Sequence, residues 1–145
     1  MPHFTGGLDE MGRRAHMYRK IGEEFIADDF AHEQSVVFET GKGLVIFNSC
    51  SHEGIVNIVR EVQMALGGQK VYAVVGGFHM MKLSGMDTLA IPEEEVVETA
   101  QELKGLGVEE IYTGHCTGNI AFRILKKELG EWYMHLEQGK RWYFK

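Results

Sequence analysis

Three of the seven histidines lie shortly after stretches whose residues predict β-strands: His52 after Gly43–Phe47, His79 after Lys70–Val75, and His115 after Glu109–Thr113. Glycine, serine, cysteine or threonine lies within two residues of each histidine, so the backbone can turn sharply there and leave the imidazole accessible. If the three strands are parallel, these side chains emerge at one edge of the sheet. That edge is where open α/β folds bind their ligands.

Imidazole is the commonest metal ligand among protein side chains, and three converging imidazoles suit Zn²⁺, Fe or Mn²⁺. The sequence therefore predicts a divalent metal site at His52, His79 and His115, with zinc as the first choice. A single histidine after a strand more often serves as a hydrogen-bonding residue. Spacing alone therefore leaves two readings open, one shared metal site or three separate structural histidines.

Other polar residues near these histidines are candidates for a pocket or for support of the ligands. Cys50 and Cys116 each lie within two residues of one of the histidines, and each could be a nucleophile paired with histidine, a thiolate ligand or a buried loop residue; we favour the last. The segment Asp28–Glu33 carries three carboxylates and an imidazole, and it is either a partner of the metal site or a solvated loop. The candidate supporting or pocket residues are Asp29, His32, Glu33, Cys50, Ser51, Cys116 and Thr117.

The elements that must position these residues alternate between strand and helix patterns. Ser35–Glu39 and Gly43–Phe47, joined by a glycine-containing turn, predict a hairpin. Apolar residues at helical spacing predict three helices: one from Ile55 to Leu66, one opened by Pro92, and one over Gly118–Leu129. Trp132–Leu136 and Arg141–Phe144 predict a second hairpin. This alternation indicates an α/β fold, a mixed sheet with helices packed on one face.

Composition excludes several classes of protein. The chain has 145 residues, of which 44% are hydrophobic and 25% charged, as in globular domains. No apolar run approaches the roughly 20 residues of a membrane span, and no secretory leader is visible. The net charge of −6 disfavours a nucleic-acid surface. Two cysteines favour a reducing compartment, so we expect a cytoplasmic protein with neither a nucleic-acid nor a membrane partner.

Three segments resemble the metallo-β-lactamase superfamily: Gly43–Asn57, Val75–His79 and Thr113–Gly118. The branch they resemble contains the dihydropteridine-type (methanopterin-pathway) ribofuranosylaminobenzene phosphate synthases. The resemblance implies an αββα sandwich with a metal site at one edge. It implies that His52 and His115 are metal ligands, and His79 falls where the family has a bridging carboxylate or a further ligand.

The chain departs from that family in one large respect. The family's H-x-H-x-D-H motif is missing, and its members run well over 200 residues. We therefore expect residues 1–34 to be an N-terminal extension or loop, and residues 35–145 to be the second half of the domain. The implied activity is hydrolysis of an ester, phosphoester or related bond by a metal-activated water, incomplete without the other half.

Two other functions remain open from the sequence. One is a non-catalytic half-domain that self-associates or binds a partner chain, and the other is a metal-free thiol enzyme using Cys50 or Cys116 with His115. Association is expected because helices would cover one sheet face and leave the other bare. We expect a homo-oligomer, or a complex with a separate chain carrying the first half, and a small-molecule substrate if the protein is active. The candidate residues of the two sheet surfaces are Val36, Phe38, Leu44, Ile46, Val71, Ala73 and Val75.

Overall fold

The structure is a computed structural model that describes residues 1–3, 8, 13, 16–130 and 133–135. Its first elements are the antiparallel strands β1 (Tyr18–Ile21) and β2 (Glu24–Ala27). They lie within the segment expected to be an extension or loop. Both strands are largely exposed, so they lack the alternation of apolar and polar residues by which a half-buried strand is recognised.

A five-stranded mixed sheet with three helices forms the rest of the described chain. In chain order its elements are β3 (Ser35–Thr40), β4 (Gly43–Cys50), α1 (Ile55–Ala65), β5 (Val71–Gly77), α2 (Glu93–Gly105), β6 (Glu110–Thr113), a 3₁₀ turn (His115–Thr117), α3 (Asn119–Leu129) and β7 (Tyr133–His135). The strand order is β3-β4-β5-β6-β7, with β3 antiparallel to β4 and all other pairs parallel. This confirms the predicted α/β class.

The predicted C-terminal hairpin is described in its first strand alone. β7 pairs in parallel with β6, which the sequence pattern did not indicate. The second predicted strand, Arg141–Phe144, lies outside the described residues.

The main core lies between one face of the sheet and the three helices. Strand residues point into it with the period of two expected for a strand, interrupted in β5 where the register with β4 shifts between Leu44 and Val45. They meet the apolar stripes of the helices, and all of these side chains are buried: Leu44, Ile46, Val71, Val74 and Ile111 from the strands, and Ile58, Val62, Ala100, Leu103, Ala121 and Leu125 from the helices. Burial of these stripes holds the strand ends in register with one another.

The opposite surface of the sheet, here called the helix-free face, has its own small cluster of Val45, Tyr72, Ala73 and Tyr112, with Phe47 and Val75 packed against it. Val36 and Phe38 of β3 pair with residues of this face, and each is 55% exposed. Of the seven candidate surface residues, Leu44, Ile46 and Val71 lie under the helices, while Val36, Phe38, Ala73 and Val75 lie on the helix-free face.

Candidate metal centre

The parallel strands β4, β5 and β6 end at one edge of the sheet, as the spacing of the histidines required. β4 ends at Cys50, β5 at Gly77 and β6 at Thr113. His52, His79 and His115 each follow within two residues of a strand end. The edge therefore collects side chains from three strand–helix connections.

Three donor atoms lie close together at this edge. One ligand atom each of Cys50, His52 and His79 lies within 4.8 Å of the other two, and we call these residues the His–Cys cluster. The Cys50 sulfur is 3.3 Å from Nδ1 of His79, and the two imidazole centroids are 4.5 Å apart. A thiolate with two imidazoles is a donor set typical of zinc.

The chemistry of the donor set tests whether a metal fits. One sulfur and two imidazoles converge here, and each is a ligand that zinc accepts. The Nδ1 atom of His52 is buried without a hydrogen-bond partner and lies 3.7 Å from the Glu33 carboxylate. The residues present therefore fit a bound divalent metal.

His115 lies at the same edge but is exposed. Among residues 1–3, 8, 13, 16–130 and 133–135, it is not part of the group of mutually close ligand atoms. Its neighbour Cys116 turns inward instead and is 5% exposed. The role of His115 as a ligand therefore stays a prediction of the resemblance.

The two cysteines meet at this edge. Their sulfurs are 2.6 Å apart, and the backbone N–H of His79 donates to the Cys116 sulfur at 3.3 Å. The hydrogen bond from the Cys50 thiol, reinforced by His79, lowers the pKa of Cys116 despite its burial. The same bond, together with burial, raises the pKa of Cys50. Cys116 is buried, as a buried loop residue would be, whereas Cys50 is partly exposed, and each cysteine contacts the other and His79.

Glu33 holds the backbone that carries His52. Its buried carboxylate accepts the N–H of His52 at 2.9 Å and that of Glu53 at 3.1 Å, and the Asn48 amide donates to it at 3.4 Å. Burial acts to raise the pKa of Glu33, but these bonds and the nearby His52 ring outweigh it and lower the pKa. At 3.7 Å from Nδ1 of His52, the carboxylate acts on the ring as a charge and is too far away for a hydrogen bond.

Phe30 also positions the ring of His52, although the sequence did not indicate it as a site residue. Its ring stacks on the imidazole with centroids 4.1 Å apart and planes 19° apart. The Asp28 carboxylate accepts the Phe30 N–H at 2.9 Å and so stabilises the turn. Nothing in the local sequence marks Phe30, because its partner lies 22 positions away.

Three residues at this edge have left-handed backbone conformations, which residues other than glycine rarely adopt. Their φ angles are 53° at Phe30, 51° at His79 and 51° at His115; His16, at 55°, is the fourth such residue among the described non-glycine positions. Such conformations are uncommon outside glycine and concentrate at functional sites. Here they occur at His79, a member of the cluster, at Phe30, whose ring stacks on His52, and at His115, which lies at the same edge.

The remaining candidate residues fall into two groups. Ser51 donates from Oγ to the Gly77 carbonyl at 2.9 Å, and Oγ1 of Thr117 accepts the Phe78 N–H at 2.9 Å, so both brace the loops of the site. Asp29 accepts a hydrogen bond from Arg19 at 2.8 Å, and the side chain of His32 is 68% exposed. Asp29 and His32 lie outside the His–Cys cluster.

Glycines at the end of β5 permit the close approach of the neighbouring elements. A Cβ on Gly76 would lie 2.1 Å from the Asn48 carbonyl oxygen, and a Cβ on Gly77 would lie 2.5 Å from the Cys116 sulfur. A side chain at either position would push apart the strands that bring the donor atoms together.

A cleft of about 320 Å³ opens beside the cluster. His52 and His79 form one wall, and α2 contributes Glu95 and Thr99 to another. This volume is at the small end of the range for small-molecule sites, roughly 300–1,000 Å³. The cleft therefore has room for a compact substrate next to the donor atoms.

No family model matches the chain. The crystal structure of Tm1679, a metal-dependent hydrolase of the β-lactamase superfamily, superposes with a TM-score of 0.73 and 32% sequence identity, over 85% of this chain and 44% of that one. This confirms the resemblance to the metallo-β-lactamase superfamily. The chain has the fold of one half of such a domain.

A curated relative agrees with the resembled branch. The 7,8-dihydropterin-6-methyl-4-(β-D-ribofuranosyl)-aminobenzene-5′-phosphate synthase of Methanocaldococcus jannaschii is 37% identical over 124 residues. The match covers 86% of this chain and 40% of the relative, so the chain spans less than half the length of the proteins it matches. In addition, none of the helices in the described part of the chain is long and apolar enough to cross a membrane.

Proposed function

We propose that this chain is the metal-binding half of a metallo-β-lactamase-fold enzyme that holds a divalent metal, zinc first, at the His–Cys cluster. The observation that carries the proposal is the convergence of three donor atoms, one each from Cys50, His52 and His79, within 4.8 Å of one another. In such enzymes the bound metal polarises the substrate and lowers the pKa of its bound water.

The chain's own residues prepare this site. Glu33 fixes the backbone of His52 and Phe30 stacks on its ring, so the imidazole is oriented before any ligand arrives. His115, exposed at the same edge, is proposed as a further ligand on the basis of the resemblance. The cleft beside His52 and His79 receives the substrate.

The proposed reaction is hydrolysis of an ester, phosphoester or related bond in a small molecule. Support comes from Tm1679, described as a metal-dependent hydrolase. The other relative is named as a synthase of a 5′-phosphate, so a phosphate-bearing substrate is a second class to assay. Because the chain spans under half of each relative, full activity is expected to require the part of the fold that these residues do not cover.

A second candidate function is that of a non-catalytic half-domain that associates through the helix-free face. Val36 and Phe38 are each 55% exposed there, and Phe38 contacts Phe47 edge-on with centroids 5.7 Å apart. Exposed apolar groups of this kind favour a sheet-to-sheet contact. The partner would be a second copy or a separate chain carrying the first half. Light scattering after size exclusion at low micromolar concentration distinguishes these complexes from a monomer.

The metal proposal is tested by zinc titration of protein stripped with a chelator. The positive φ at His79 and His115 allows a matched design, because asparagine tolerates that conformation. His16→Asn, at an exposed position with φ 55°, is the control for backbone effects. We expect stoichiometric zinc in the wild type and in His16→Asn, and loss of zinc in His52→Ala and His79→Asn.

The same titration decides the role of His115. Loss of zinc affinity in His115→Asn would support its assignment as a ligand, and unchanged affinity would remove it from the set. Stoichiometric zinc retained by the His52→Ala/His79→Asn double variant, with the native circular dichroism spectrum, would refute the site.

A further inference from the structure

We propose that Cys50 and Cys116 form a reversible intramolecular disulfide, which makes the edge of the sheet a redox modification site. This proposal rests on the distance of 2.6 Å between the two sulfurs, which are free thiols in this structure. A covalent S–S bond is about 2.05 Å long, so bond formation requires a shift of roughly half an ångström.

The fold brings the two thiols together across β5. Cys50 ends β4 and pairs with Gly77 on β5, while Cys116 follows β6 on the other side of β5. The Cβ position of Gly77 would lie 2.5 Å from the Cys116 sulfur. Because Gly77 has no side chain, the two sulfurs can occupy this space, and the pairing of β5 with β4 and β6 keeps them there.

The accessibility of the two thiols sets the order of the steps. Cys50 is partly exposed, whereas Cys116 is 5% exposed. The accessible Cys50 sulfur loses its proton as it attacks a small-molecule disulfide such as oxidised glutathione, forms a mixed disulfide and releases one thiol. The Cys116 thiolate then attacks the Cys50 sulfur and displaces the second thiol. Two electrons pass from the protein to the oxidant, and the two protein S–H protons end on the two released thiols.

The bond would also act on the metal site. Metal ligation requires a thiolate, and the disulfide converts the Cys50 sulfur from a thiolate donor into a bonded sulfur. The His–Cys cluster then retains only its two imidazoles. This consequence rests on the proposed metal function, whereas formation of the disulfide does not.

The chain contains two cysteines in total, so an intramolecular disulfide has one possible pairing. Metal-free protein is incubated with oxidised glutathione, its remaining thiols are alkylated, and the intact mass is measured. We expect a monomer lighter by two hydrogen atoms that takes up no alkylating reagent. Cys50→Ser and Cys116→Ser serve as matched controls, and neither can lose the two hydrogens. Wild-type protein in which both thiols are alkylated, or which stops at the glutathione adduct, would overturn the proposal.

A second measurement examines the link to the metal. Oxidised protein should lose zinc binding and regain it after reduction with dithiothreitol, and bound zinc should protect both thiols from oxidation. Zinc binding that is unchanged by oxidation would overturn the proposed link. If no disulfide forms but the reduced protein binds zinc normally, this inference is rejected and the proposed function is not. If the disulfide forms but the reduced protein binds no zinc, the proposed function is rejected and this inference is not.

Discussion

Replacing Glu33 by alanine tests the idea that one buried carboxylate holds the His52 backbone. In the wild type this side chain accepts two backbone N–H groups, from His52 and Glu53, at 2.9 and 3.1 Å. Glu33 is 5% exposed, so its removal leaves both donors without a partner in a buried site. Each unsatisfied donor costs about 1–3 kcal/mol, and we expect a total loss of about 2–6 kcal/mol. That is a large fraction of the roughly 5–15 kcal/mol that stabilises a typical domain.

Urea denaturation in the presence of a chelator measures this loss. The slope of the free energy of unfolding against urea concentration should stay unchanged, while the urea concentration at the unfolding midpoint falls. Glu33→Gln keeps one acceptor oxygen and should lose about half as much. Glu39→Ala, at an exposed position on β3, is the matched control and should stay within about 0.5 kcal/mol of the wild type. Unfolding of Glu33→Ala at the wild-type midpoint would refute the reasoning.

The pH dependence adds an independent check on Glu33. Its pKa is lowered in the folded protein, so its contribution to stability is complete above the unfolded pKa of about 4.3. The contribution is lost as the pH falls through the lower, folded-state value. The stability difference between the wild type and Glu33→Gln should therefore shrink in acid and stay constant near neutrality.

Three further outcomes are expected. Burial and then Glu61 raise the pKa of Glu53 to about 7, so metal-free protein should lose stability as the pH rises from about 4.5 to 7, and Glu53→Gln should flatten that dependence in pH-resolved denaturation. Gly76→Ala places a Cβ 2.1 Å from a backbone oxygen of β4 and should cost about 2–4 kcal/mol in urea denaturation, whereas Gly41→Ala, with open space around it, should cost under about 1 kcal/mol. Phe38→Asp should weaken any association through the helix-free face, which light scattering would register as a lower mass at equal concentration.

Sequence periodicity predicted the strands and helices of the core because burial imposes it. Strand β4 alternates between the two sheet faces, and α1 buries one stripe of apolar residues. The β1–β2 hairpin was not predicted, because its exposed strands satisfy backbone hydrogen bonds without burying an alternating face. The pairing of β7 with β6 was missed because a strand pattern does not reveal the direction of its neighbour.

The placement of the candidate residues at one edge of the sheet was predictable, but their contacts were not. The three histidines follow the ends of parallel strands, and parallel strands place their carboxyl ends together at one edge. The meeting of Cys50 with Cys116 and the support of His52 by Glu33 link residues 66 and 19 positions apart. Such contacts depend on how far each loop turns after its strand, and the left-handed backbone at His79 sets one of those turns.

The donor atoms of the His–Cys cluster come from the ends of two separate strands, so ligand binding depends on folding. Cys50 ends β4, His52 follows it, and His79 follows β5, so their proximity requires the β4–β5 pairing across α1. An unfolded chain holds no such arrangement, and a ligand that binds only the native state stabilises it by about 2.7 kcal/mol at a concentration one hundred times its Kd. Added zinc should therefore raise the melting temperature progressively with its concentration. The metal would act as a selective stabiliser of the correctly registered sheet.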